Sequence, residues 1–66
     1  MTLTINGEPR AFPGLADVAA LVATLGLDAR KVAVERNLEI VPRSAYGRTP
    51  LADGDRIEIV CFIGGG

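Results

Sequence analysis

The chemistry this sequence can do is concentrated at one end. Arg56 to Phe62 is an alternating apolar run, and Ile63-Gly64-Gly65-Gly66 follows it directly. Glycine loses the most conformational freedom on folding, so a glycine run is a poor choice where order is wanted. It makes a thin tether without Cβ atoms, able to thread a narrow channel and present the α-carboxylate of Gly66 inside another protein's active site. That carboxylate, with a pKa of about 3.3–3.7, is ionised at neutral pH and is a poor electrophile. It can attack the α-phosphate of ATP, expel pyrophosphate and become an acyl adenylate. A sulfur or nitrogen nucleophile can then displace AMP, giving a thiocarboxylate, a thioester or an amide. No step requires a catalytic side chain on this chain, because the activating enzyme supplies the phosphate clamp and the Mg²⁺.

The remaining inventory is mostly negative. There is no histidine, so imidazole acid–base chemistry and His metal ligands are excluded. Cys61 is the only cysteine, too few for an internal disulfide or a multi-Cys zinc site. Ser44 has no histidine to activate it, and Lys31 is the only lysine. Asp53-Gly54-Asp55 reads as a tight turn. Seven basic against eight acidic residues give a net charge of −1, which argues against a nucleic-acid or anionic-lipid partner. No segment has the pattern of a signal peptide or the length of a membrane span. With no disulfide staple, the expected location is the reducing cytoplasm.

Sixty-six residues, 48% of them apolar, suffice for one small domain with a real core. Leu3 and Ile5 alternate with Thr2 and Thr4 as a half-buried strand. Asn6-Gly7 is a type I′ hairpin signal. Glu8 to Phe12 is the returning strand, and Pro9 consigns it to a sheet edge. Val18, Leu21, Val22 and Leu25 form one helical stripe, with Asp17 at its start and Gly26 closing it. Val32–Glu35 and Glu39–Val41 read as two more strands around Arg36-Asn37-Leu38, and Pro42 stops the second. Arg43 to Leu51 is a loop with one turn of 3₁₀ helix. Arg56 to Phe62 is the last strand, central by its β-branched content and parallel to the first because a long crossover separates them. The expected architecture is α+β, a β-grasp fold as in ubiquitin: a mixed sheet of four to five strands with one helix on one face. Residues 1–63 form the domain, and 64–66 a flexible glycine tail.

Alternation along the last strand sets Ile57, Ile59 and Cys61 on one side and Glu58, Val60 and Phe62 on the other. If the helix covers Ile57 and Ile59, then Val60 and Phe62 lie on the open face. Together with Ile63 they are the candidate partner contacts. The competing expectation is that Phe62 caps the core. By its parity Cys61 is expected to be a half-buried structural thiol, since no cation adjacent in sequence favours a thiolate.

Taken together, Asn6-Gly7-Glu8, Val18 to Leu25, Ile40-Val41-Pro42-Arg43, Leu51 to Glu58 and Phe62-Ile63-Gly64-Gly65-Gly66 resemble the sulfur carrier protein of thiamin biosynthesis, a ubiquitin-like family, from Met1 to Gly66. Tyr46 stands where that family often carries tryptophan, and Arg36-Asn37-Leu38 replaces an Asn-Gly turn. The resemblance implies that an E1-like adenylyltransferase activates Gly66 with ATP and Mg²⁺. Sulfur from a cysteine desulfurase persulfide then makes the thiocarboxylate, which thiazole synthase consumes. It implies a protein co-substrate rather than an enzyme, with no bound cofactor or metal, no nucleic acid and no membrane. Gly64 and Gly65 match the tail and Gly66 the modified residue. The small subunit of molybdopterin synthase, carriers for tRNA thiolation or cysteine synthesis, a lysine-linked protein modifier and a plain β-grasp interaction module stay open as alternatives.

Overall fold

The computed structural model describes residues 1–62; the expected contact Ile63 and the tail Gly64, Gly65 and Gly66 lie outside the described residues. The chain forms β1 (Thr2–Ile5), β2 (Glu8–Ala11), α1 (Val18–Thr24), β3 (Val32–Arg36), β4 (Glu39–Val41) and β5 (Arg56–Cys61). Short 3₁₀ segments occupy Ala29–Lys31 and Arg43–Arg48. The sheet order is β2-β1-β5-β3-β4, with β1 and β5 parallel and the other pairs antiparallel. This is the β-grasp arrangement. β5 is central, and β2, which carries Pro9, lies at an edge where its missing N–H breaks no ladder.

Each hairpin turns where a left-handed backbone is available. Asn6 and Gly7 have φ of 49° and 84°, matching the two positive values of a type I′ turn. Asn37 and Leu38 repeat that pattern with φ of 51° and 71°, so the second turn keeps its geometry with a leucine where glycine would fit without strain.

The helix is shorter than its apolar stripe: it spans seven residues, and Leu25 is its C-cap. At its start the Asp17 carboxylate accepts from the Ala20 N–H at 2.8 Å, satisfying one orphan donor. At its end Gly26, with φ of 73°, donates to the Ala23 carbonyl, and the Leu27 N–H reaches the Val22 carbonyl. This is a Schellman closure. Leu27 folds back to pack against the core. The buried stripe Val18, Leu21 and Val22 meets Leu3, Ile5, Val32, Val34, Ile57 and Ile59 from the sheet. Tyr46 is buried in the Arg43–Arg48 segment and donates its hydroxyl to the Val32 carbonyl at 3.3 Å, tying that crossover to β3.

Two asparagines do more than turn the chain. The Asn6 amide accepts from the Ile59 N–H at 2.7 Å and donates to the Ile59 carbonyl at 3.1 Å. Its side chain thereby prolongs the β1–β5 ladder beyond the end of β1. On the opposite side of β5, the Asn37 amide accepts from the Arg56 N–H at 2.9 Å and donates to Asp55 at 3.0 Å.

Asp55 is the one buried charged residue of the described chain. It accepts from the Ala52 N–H at 2.8 Å, Asn37 Nδ2 at 3.0 Å and Arg36 Nε at 2.9 Å. Burial alone would raise its pKa. The hydrogen bonds from Ala52, Asn37 and Arg36, with the Arg36 charge, outweigh burial and hold the carboxyl below its ordinary value. Asp53, the other aspartate of the turn, accepts from the Thr2 N–H at 2.6 Å. The Asp-Gly-Asp turn is thus docked onto β1 and the second hairpin at once.

Two outcomes follow. A depressed folded pKa gives stability that is fully present above the unfolded value, about 3.9, and is lost as pH falls through the folded value. Thermal melts should therefore show the wild type losing stability below about pH 4, with a shallower slope for Asp55→Asn in that window. At pH 7 the variant should be destabilised by about 1–3 kcal/mol. Asn6→Gly preserves positive φ and removes only the clamp on Ile59. Denaturant titration should show a loss of about 1 kcal/mol, whereas a residue needed only for the turn would show none.

Candidate functional site

β5 runs through the middle of the sheet and leads into the candidate tail. Its alternation places Ile57 and Ile59 under α1, both buried, and Glu58 and Val60 on the opposite face. Val60 and Phe62 are exposed, at 61% and 56% of their surface. The competing expectation that Phe62 caps the core is not met. Among the described residues no helix lies across this side of the sheet, so residues of that parity face solvent. The Phe62 N–H donates to the Lys31 carbonyl at 2.8 Å, continuing the β3–β5 pairing one residue past the strand. The backbone leading to the tail is therefore held by the sheet as far as Phe62.

Cys61 corrects an expectation. Its parity is that of Ile57 and Ile59, but it is exposed rather than half-buried. The seven-residue helix is about 10 Å long, and its covering ends before the end of β5. Cys61 instead lines an open groove of about 240 Å³ with Ile5, Asn6, Arg10, Leu25, Leu27 and Ile59. It thus lies on the helix side of the sheet, away from Val60 and Phe62.

The open face has a composition that reading along the chain did not find. Register pairs Glu35 of β3 with Glu58 of β5, Ala33 with Val60, and Glu35 with Ile40 of β4. All five residues fall on the face opposite the buried Val34, Val41 and Ile59. Ile40 is 77% exposed, and Leu38 at the adjoining hairpin tip is 72% exposed. Two carboxylates thus stand side by side between Ile40 on one side and Val60 and Phe62 on the other. Arg56 Nε comes within 4.0 Å of Glu58 Oε1, while Glu35 is in no ion pair among the described residues. Among the described residues no group of His, Cys, Asp and Glu is arranged to hold a metal ion, and no helix is long and apolar enough to cross a membrane.

The chain is 61% identical over its full length to part of a thiazole synthase of Paramagnetospirillum magneticum, and it spans about a fifth (20%) of that protein's length. It is 48% identical over 46 residues to the sulfur carrier protein ThiS of Bacillus subtilis, covering 70% of each chain. Its fold superposes on the crystal structure of the thiamine biosynthesis protein ThiS of Geobacter metallireducens with a TM-score of 0.84, at 39% identity and with both chains wholly covered. The model of the ThiS family matches residues 3–66, through the glycine tail, and with this fold and these relatives the chain belongs to the ThiS family.

Proposed function

We propose that this chain is a thiamin-pathway sulfur carrier whose working group is the carboxylate of Gly66. The observation that carries the reading is the family match, which extends through Gly64, Gly65 and Gly66 on a β-grasp domain. Gly66 attacks the α-phosphate of ATP on an E1-like adenylyltransferase, which supplies Mg²⁺, and pyrophosphate leaves. A persulfide sulfur originating from a cysteine desulfurase attacks the acyl adenylate and AMP leaves. Reductive cleavage of the acyl disulfide by a thiol then frees the thiocarboxylate, which thiazole synthase consumes. The chain is a co-substrate in this scheme: it brings the carboxylate, and the enzymes bring the catalysis. Gly64 and Gly65 admit the tail to each active site because neither carries a side chain, while Val60, Phe62 and Ile63 provide the docking contacts beside it.

The geometry of the central strand supports this division. β5 is paired on both sides and clamped by Asn6 and Asn37, so the domain offers a rigid base from which a glycine tail can extend. Cys61 lies on the helix side of the sheet, off the face that carries Val60 and Phe62, and takes no part in the sulfur transfer.

Tandem mass spectrometry of the intact chain, incubated with its adenylating enzyme, ATP, Mg²⁺ and a sulfur donor, tests the proposal. Replacement of one Gly66 oxygen by sulfur is expected, and fragment ions must place it there, because oxidation of Met1 or Cys61 adds nearly the same mass. A carboxylate that stays unmodified under these conditions overturns the carrier reading and favours a lysine-linked modifier or an inert module. Cys61→Ser should acquire sulfur at Gly66 at the wild-type rate; loss of sulfur there would implicate the thiol.

A further inference from the structure

We propose that Asn6 is a site of spontaneous deamidation, held in check by its own hydrogen bonds to β5, and that its conversion loosens β1 from the central strand. The inference goes beyond the carrier reading and does not depend on it.

The reacting groups are neighbours in the chain. The main-chain nitrogen of Gly7 loses its proton to hydroxide and attacks Cγ of Asn6. The Cγ–Nδ2 bond breaks, the nitrogen leaves as ammonia, and a succinimide ring closes. Water opens the ring at either carbonyl and leaves aspartate or isoaspartate at position 6. Water is the only co-reactant, and nothing is oxidised or reduced. Glycine suits the attack because no Cβ shields its nitrogen. Asn6 and Gly7 are both exposed, and a Cβ at Gly7 would meet nothing within 4 Å, so solvent reaches the pair.

The fold holds the reaction back. The Asn6 N–H donates to the Ile57 carbonyl at 2.9 Å, and the side-chain amide bonds the N–H and the carbonyl of Ile59 at 2.7 and 3.1 Å. An amide engaged across the strand gap is not free to swing Cγ onto the Gly7 nitrogen. The ring closes only when these bonds open, so the native rate is the unfolded rate multiplied by the open fraction. That opening is local: β1 pairs with β5 over two residues, whereas β3 pairs with it over five.

The second hairpin is an internal comparison. Asn37 has nearly the same φ as Asn6, 51° against 49°, and its amide is likewise bonded to β5 and to Asp55. It is followed by Leu38, whose side chain crowds the attacking nitrogen. The leucine that strains this turn at φ 71° also shields it.

Conversion of Asn6 runs one way. Aspartate has no donor for the Ile59 carbonyl and sets a carboxylate against it. Isoaspartate routes the main chain through the side-chain carbon and lengthens the two-residue turn that fixes the β1–β2 register. Neither product can close the clamp again.

The test incubates the intact chain at mildly alkaline pH, in native buffer and in guanidinium chloride, and follows positions 6 and 37 by peptide mapping that separates aspartate from isoaspartate. Asn6 should convert in both, more slowly in native buffer by about tenfold or more, while Asn37 keeps its amide. The converted chain, separated by its extra negative charge, should melt about 4–8 °C lower. Hydrogen exchange should show the protection of the Asn6 and Ile59 N–H groups lost. Asn6→Gly, with no amide to lose, should keep its own melting temperature through the same incubation. Equal rates in the two solvents overturn the guarding role of the clamp. No conversion in guanidinium chloride, conversion of Asn37 as fast as that of Asn6, or a converted chain with unchanged melting temperature and exchange overturns the proposal.

Discussion

The structure depends on how its central strand is held. β5 lies between two hairpins that never pair with each other, so the two halves of the sheet meet only through it. Its pairing with β1 is short, two residues in register, and parallel. A short parallel ladder is the weaker kind of contact. The Asn6 amide strengthens it by acting as one further peptide group, bonding both the N–H and the carbonyl of Ile59. Asn37 makes the matching attachment from the other hairpin, to the N–H of Arg56. Both asparagines are able to do this because they stand at turn positions with positive φ, a conformation their short polar side chains tolerate.

Asp55 completes that arrangement. Its carboxylate gathers the Arg36 guanidinium, the Asn37 amide and the Ala52 N–H at the point where β5 begins. A buried charge is stabilising only when its acceptors are filled, and here they are. In a domain this small, with one seven-residue helix over the sheet, polar clamps at the start of β5 supplement a core of limited size. The structural consequence is one of anchoring: β5 is fixed by hydrogen bonds from the Asp55 turn to Phe62.

The same sheet separates two surfaces. The helix face of β5 carries the core and, at its end, the groove with Cys61. The open face carries Glu35, Glu58, Ile40, Val60 and Phe62 without any element of the described chain packed over it. Three of the most exposed apolar residues of the described chain, Ile40, Val60 and Phe62, are thus collected on one side with Glu35 and Glu58.

What the sequence determined by itself is the part governed by neighbours along the chain. Asn6-Gly7 could only be a left-handed turn, Pro9 forced its strand to an edge, the spacing of Val18, Leu21 and Val22 made a helix, and Gly26 ended it. The alternation of Ile57, Ile59 and Val60 sorted the two faces of β5 before any partner strand was known. The glycine run at 64–66 was equally legible, since a glycine run after an apolar strand needs no tertiary context to be noticed. Tertiary structure decided what depends on register and reach. Nothing local to Glu35 and Glu58, twenty-three positions apart, says that they stand opposite each other; that follows from which strand pairs with which, and in what register. Asn6 and Asn37 looked like turn residues and became clamps because β5 passes within reach of both. Cys61 had the parity of a buried residue and is exposed because burial needs a covering element as well as a face, and the helix stops short of it.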